Sequence, residues 1–276
     1  MIRNTFSILE GIGPKLERAL WRKGILEWGD FIGAPEIKTI SPVRKAVFDK
    51  RLMDAGKRLA MGDSGYFAQA LKLKEHWRLY EVFRDRAVCL DIETNGWHHA
   101  AGGYVTVVGL YDGFDYKAFV RGENLSSEAL KKELSRYRYV ITFFGSGFDL
   151  PFLKESLGID FEMAHFDLCF GARKLGITGG LKKIEPLLGI HRDDSVKGLD
   201  GYQAVRLWHE AKRGNRAAYD LLITYNREDT VNLMGMAKTL YERLKTQTGI
   251  GTFLNETGGE KFSVKAPFGF CHGESR

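Results

Sequence analysis

The sequence predicts a mixed β-sheet flanked by helices, of the α/β or α+β class, behind a small helical module at the N-terminus. Three observations lead there. Helical patterning dominates residues 1 to 84. From Arg86 the texture switches to four short β-rich runs. After Leu150 helical patterning returns and ends in a long stretch from Arg216 to about Lys245. With 276 residues, 44% hydrophobic and 28% charged, the chain has ordinary globular composition, which disfavours a disordered, collagen-like or coiled-coil protein and allows one large domain or two average ones.

The elements follow in order. In FSILEGIGPKLERALWRKGILEWGDFI, Phe6 to Ile32, an apolar turn leads through Gly-Ile-Gly-Pro into an amphipathic segment with Leu16, Ala19 and Leu20 on one face. This predicts helix, tight hairpin, helix. Pro14 suits the first turn of the second helix, and Gly11 and Gly13 permit torsions and close approaches that side chains would block. VRKAVFDKRLMDAGKRLAMG and YFAQALKLKEHWRLYEVFR read as two further helices, separated by the breaker Gly-Asp-Ser-Gly at 62 to 65. The runs at 87 to 94, 104 to 113, 114 to 120 and 139 to 145 read as strands of one sheet, with a hairpin link at Asp112 and Gly113 and a helix over 126 to 137. The glycine-rich C-terminal segment reads as a weakly ordered tail or a short closing strand. The expected division is 1–64 (helical), 65–246 (sheet domain) and 247–276 (tail).

No apolar run approaches the roughly 18 to 20 residues that span a bilayer, and the N-terminus has no secretory signal pattern, so a cytoplasmic protein with no membrane partner is expected. Cys89, Cys169 and Cys271 are scattered, and neither a disulfide framework nor a zinc site has support. The charge is uneven. Residues 1 to 84 hold 16 Lys/Arg against 10 Asp/Glu, whereas the remainder balances at 25 against 25, so all of the +6 net charge lies in the first third. A basic module on a neutral body suits a polyanion, because phosphate neutralisation releases counterions.

Chemistry is carried by carboxylates. In LDIET, Asp91 and Glu93 lie two apart on a strand and project from one face, with Leu90 and Ile92 on the other. An acidic pair at the end of a core-like strand requires cations, and a divalent metal with hard oxygen ligands supplies them. In FFGSGFDLPFL a strand runs through a glycine-rich turn into a helix with Asp149 at the junction, a position that also suits a helix cap. In ITYNREDTVNL, Tyr225 and Asp229 are four apart and share one helix face. Lys182 and Lys183 follow Gly179-Gly180 at a helix start, within reach of substrate phosphate, and Asp167 in HFDL reads as a helix cap.

Taken together and in this order, Asp91-x-Glu93, Phe148-Asp149 and Tyr225-x-x-x-Asp229 resemble the DEDDy class of 3′-5′ exonucleases, whose fold is ribonuclease H-like. The surrounding text, FDLPFL, GGLKKIEPLLGI, LDGYQAV and YNREDTVNL, is most similar to the YprB-like group of predicted exonucleases, over roughly Ala87 to Lys245. Upstream, Gly11, Ile12, Gly13 and Lys15 resemble a helix-hairpin-helix motif, whose backbone N–H groups meet nucleic-acid phosphate. The resemblance implies a ribonuclease H-like sheet and hydrolysis of DNA or RNA phosphodiesters from a free 3′ end, with two Mg²⁺ or Mn²⁺ ions held by Asp91, Glu93, Asp149 and Asp229 while Tyr225 orients the attacking water. In one place the chain departs from many relatives: they carry Asn before the glycine of the second motif, where this chain has Phe144 before Gly145, which bears on substrate positioning. Three alternatives stand beside this reading: a non-catalytic nucleic-acid-binding module, a structure-selective endonuclease of the same fold, and an N-terminal module that docks a protein partner.

Overall fold

In the computed structural model, which describes residues 1–257, the N-terminal third packs as short helices around its own aromatics: α1 (Pro14–Trp21), α2 (Trp28–Gly33), α3 (Pro42–Ala60), α4 (Ser64–Ala70) and α5 (Tyr80–Phe83). Pro14 and Pro42 occupy first-turn positions of α1 and α3, where a missing N–H costs nothing, and Ser41 and Asp63 cap α3 and α4 with their side chains. Two expectations need correction here. Phe6 to Glu10 form consecutive turns rather than a helix, because Glu17 captures the chain from the side: its Oε1 accepts from Phe6 N at 2.8 Å and from Thr5 Oγ1 at 2.6 Å. The second long helix is broken at Leu71 and Lys72, which are extended, and resumes as a 3-10 segment over Leu73–Leu79, where buried His76 bonds back to Leu71 O and receives Tyr139 Oη on its carbonyl.

The sheet contains β1 (Ala87–Thr94), β2 (Val105–Tyr111), β3 (Tyr116–Val120), β4 (Tyr139–Thr142) and β5 (Ala164–Asp167) in the order β3-β2-β1-β4-β5. β1 pairs antiparallel with β2 and parallel with β4, so it is central; β2/β3 is antiparallel and β4/β5 parallel. The β2–β3 hairpin turns on Asp112, whose Oδ1 accepts from Phe114 N and Asp115 N. α6 (Ser127–Leu134) and α7 (Asp149–Leu157) cover one face of the sheet, packing on Val88, Leu90, Ile92 and Val140. α8 (Leu168–Lys174), α9 (Leu181–Leu187), α10 (Gly201–Lys212) and α11 (Arg216–Thr248) follow. β5 falls in a region expected to be helical. Four residues carry too little local pattern to declare a strand, and pairing with β4 decides it. Asp167 caps α8, as expected, by accepting from Cys169 N.

Ala87, Cys89, Tyr139, Ile141 and Phe166 on the other sheet face join the N-terminal aromatics, α8 and the C-terminal half of α11 in one continuous apolar cluster. That core runs across residue 64 without a break. The tail expected from residue 247 starts as helix: α11 ends at an αL Gly249, and α12 (Ile250–Thr257) buries Ile250 and sets Phe253 against Trp21. The remainder of that segment, with Cys271, lies outside the described residues. Among the described residues no helix is long and apolar enough to cross a membrane.

Candidate active site

Alternation along β1 puts Ala87, Cys89, Asp91 and Glu93 on one face, apolar where the N-terminal helices and α8 cover it and acidic towards the C-terminal end. α11 lies over that acidic end because β2 offers a glycine there. Gly109 pairs with Asp91, and a Cβ at Gly109 would stand 2.2 Å from Asn226 Oδ1 and 2.4 Å from Thr230 Oγ1. The bare backbone lets α11 press against the sheet and deliver Tyr225, Asn226 and Asp229 to the strand.

One carboxylate oxygen from each of Asp91, Glu93 and Asp229 lies within 4.8 Å of the other two, with Asp91 partly exposed and the others buried. Asp149 stands beside this set in the first turn of α7, buried, its Oδ1 accepting from Ile92 N at 3.2 Å. Burial, with repulsion among the carboxylates, pushes the Asp91 carboxyl well above its usual range and raises Glu93 to about 8; burial likewise lifts Asp149 to about 7. Asn226 Nδ2 offsets part of the charge by donating to Asp91 Oδ2 at 2.9 Å and Glu93 Oε1 at 3.3 Å, while its Oδ1 accepts from Tyr116 Oη at 2.8 Å.

Two cations border the acids. Lys182 Nζ donates to Tyr225 Oη at 2.6 Å and to Leu199 O, and lies 4.4 Å from the Tyr225 ring centroid; burial lowers its pKa. Tyr225 is 4% exposed, and burial together with Asp229 keeps its phenol protonated. Arg192 forms a salt bridge with Asp229 and a two-pronged pair with buried Glu185, at 2.5 and 2.8 Å. A cleft of about 380 Å³ opens over Asp91, Asp229, Tyr225, Phe143 and Lys182. The donor set fits a divalent ion: hard oxygens converge, they repel one another without one, and buried Asp229 Oδ1 has its ion pair but no well-directed hydrogen bond.

A family model of the RNase_H superfamily matches residues 88–241, from β1 to the C-terminal half of α11. The chain belongs to the RNase H superfamily. The five-stranded mixed sheet with an acidic central strand is that superfamily's domain in this protein. Among solved structures the chain is similar to an apo form of a nuclease, at 17% identity and a TM-score of 0.46, covering 71% of this chain and 95% of that one. It is also similar to Brucella melitensis NrnC with bound Mg²⁺, at 20% identity and a TM-score of 0.41 over 67% of this chain and 92% of that one. No curated protein matches the chain.

Of the residues singled out from the sequence, the RNase H domain thus assembles Asp91, Glu93, Asp229, Tyr225 and Lys182, with Asp149 alongside. The residues of the expected helix-hairpin-helix belong to the helical module, where turns and not a helix precede α1: Gly11, Gly13 and Lys15 are exposed and Ile12 is buried at 4%. Gly11 has φ +79, and Arg44 Nη2 closes over it onto Glu10 O at 3.1 Å. Asn226, Arg192, Glu185 and Tyr116 were not singled out. Asn226 had a signal, a polar residue beside Tyr225 on a helix that must bury that face. Arg192 and Glu185 had none, since seven positions across a loop mark no periodicity.

Proposed function

We propose that this chain is a divalent-metal-dependent 3′-5′ exonuclease that hydrolyses phosphodiester bonds of DNA or RNA. What carries the reading is the convergence of three carboxylate oxygens within 4.8 Å, with the Tyr225 phenol one helical turn from Asp229 on the same helix. RNase H superfamily membership and the DEDDy-like order of the motifs support it.

In this reading Asp91, Glu93 and Asp229 hold the metal ions, and Asp149 completes the set from the N-terminus of α7. Two bound Mg²⁺ or Mn²⁺ ions supply a water of lowered pKa and offset charge on the attacking and leaving oxygens. Tyr225, protonated, holds the nucleophilic water by a hydrogen bond rather than taking its proton. Lys182 sets the phenol's direction through the 2.6 Å contact and adds a positive charge to the cleft that receives phosphate. Asn226 fixes the rotamers of Asp91 and Glu93 from behind. The exposed turn of Gly11 and Gly13 with Lys15 at the start of α1, anchored by Ile12, contacts the backbone of the same nucleic acid, and the surplus positive charge of residues 1 to 84 holds it there.

The test is cleavage of 5′-labelled single- and double-stranded DNA and RNA in Mg²⁺ or Mn²⁺, with Asp91→Asn as control. A metal-dependent ladder from the 3′ end, lost in the variant, is expected. Discrete internal products would replace the exonuclease with a structure-selective endonuclease, and binding without cleavage would replace it with a nucleic-acid-binding module.

A further inference from the structure

Phe144 is the one non-glycine residue with positive φ, at +64, among the described residues. A β-carbon pays for that conformation, and glycine or asparagine would occupy it at lower cost. The chain nevertheless places a phenyl there and leaves it 42% exposed. The conformation is over-determined. Asp167, buried at the end of β5, accepts from Phe144 N at 2.9 Å, from Ser146 N at 3.1 Å and from Ser146 Oγ at 2.6 Å. Gly145 N donates to Thr142 Oγ1, and Phe144 O receives both Gly147 N and Phe148 N. The ring lies over Gly147, where a Cβ would come within 2.5 Å of Phe144 Cζ. Such a set of constraints around a costly backbone marks a side chain held for use.

The place is specific. β4 runs parallel to β1 with Cys89 beside Ile141, so continuing the register brings Phe143, which lines the metal-site cleft, level with Asp91. Phe144 is the next residue, and the turn it opens ends in Asp149. Behind it stands Phe170, ring centroids 6.4 Å apart, and the exposed Arg173 guanidinium lies 5.4 Å from the Phe170 ring centroid. An exposed aromatic face, a second ring and a cation therefore form one row that begins at the neighbour of cleft-lining Phe143. Two aromatic rings with a cation beside them suit single-stranded nucleic acid, whose bases stack without regard to sequence while its phosphates meet cations.

We propose that Phe144 is the stacking platform for a nucleobase adjoining the scissile phosphate of a single-stranded end, and that Phe170 and Arg173 extend that surface along the strand. The inference rests on the nuclease reading. It makes Phe144 a positioning residue that selects unpaired ends, because a base in a duplex has no free face to offer.

The test uses the full chain carrying Asp229→Asn, to slow turnover, and a single-stranded oligonucleotide with 2-aminopurine at the penultimate 3′ position. Binding quenches the fluorophore where the base stacks. Adding Phe144→Gly, which relieves the backbone, is expected to abolish the quench and weaken binding about 5- to 100-fold, while thermal stability holds or rises. Phe144→Trp is expected to restore the quench. Unchanged quench and affinity in a Phe144→Gly protein of normal stability would overturn the platform while the nuclease reading stands. Failure of the Asp229→Asn parent to bind any oligonucleotide, with no cleavage by the wild type, would remove the nuclease reading and the platform with it.

Discussion

The chain buries acidic groups in two places and treats them in opposite ways. Under the N-terminal helices, Glu17 is 1% exposed and satisfied on both oxygens: Oε1 by Thr5 and Phe6, Oε2 by Arg78 Nη2 at 3.0 Å. Arg78 also reaches Glu75, whose other oxygen takes Lys174 Nζ at 2.6 Å, so two carboxylates face two cations. Where β1, α7 and α11 meet, four carboxylates crowd together with one amide, one guanidinium at their edge and a lysine that donates to Tyr225 and Leu199. Burial of acid is thus no sign of function by itself. The shortfall of donors is, because a buried carboxylate without compensation is costly and persists only where a cation will supply it.

The largest effect expected from this contrast is at Asp229. Asp229→Asn removes a proposed metal ligand and should lower turnover by about a thousandfold or more, while the metal-free protein melts close to wild type because relief of repulsion from Asp91 and Glu93 offsets loss of the Arg192 ion pair. Residual turnover within tenfold of wild type would place the metal site elsewhere. At the compensated cluster the reverse is expected: Glu17→Ala leaves Arg78 partly unpaired and should cost about 3 to 5 kcal/mol in denaturant unfolding, whereas metal-free Glu93→Gln should cost little. Equal losses at the two positions would erase the distinction drawn between them.

A pH series sharpens the same comparison. Asp91, pushed well above its usual range, Glu93, raised to about 8, and Asp149, raised to about 7, favour the protonated form in the metal-free native state at pH values where the unfolded chain has already released those protons. Raised carboxyl pKa values mean stability that is present at low pH and lost as pH rises through the folded values. Between pH 6.5 and 8, where buried His165 is already neutral with its pKa pushed down to about 4, unfolding in chelator should show stability falling by about 2 kcal/mol or more, and Mg²⁺ should flatten the slope. A flat chelator profile would show that the carboxylates are compensated without metal. The smallest expected effect is at Tyr225: Tyr225→Phe keeps the ring under Lys182 and loses only the hydroxyl, so turnover should drop about tenfold, with metal affinity, read by calorimetry, unchanged.

Much of this protein was legible before folding. The strands at 87 to 94 and around the Asp112 turn, and the long helix α11, follow from period-two and helical patterning that adjacent residues enforce. So does the shared face of Asp91 and Glu93, which strand geometry dictates. The helix expected at Phe6 to Glu10 does not form, and the one expected over Tyr66 to Arg84 breaks at Leu71 and Lys72, because contacts from elsewhere, Glu17 in one case and Tyr139 on the His76 carbonyl in the other, overrule a local helical preference. β5 leaves no mark in local patterning because a four-residue strand exists only through its partner.

The sequence by itself determined which residues carry charge, at what spacing, and on which face of its own element each one stands, since those depend on torsions set within a few residues. Only the tertiary structure decided that α11 would settle on Gly109, that Asn226 would brace two carboxylates 133 and 135 residues away, and that Asp167 would hold Phe144 in a left-handed conformation beside the cleft. Those outcomes depend on which surfaces exclude water from one another, and no single segment of chain contains both surfaces.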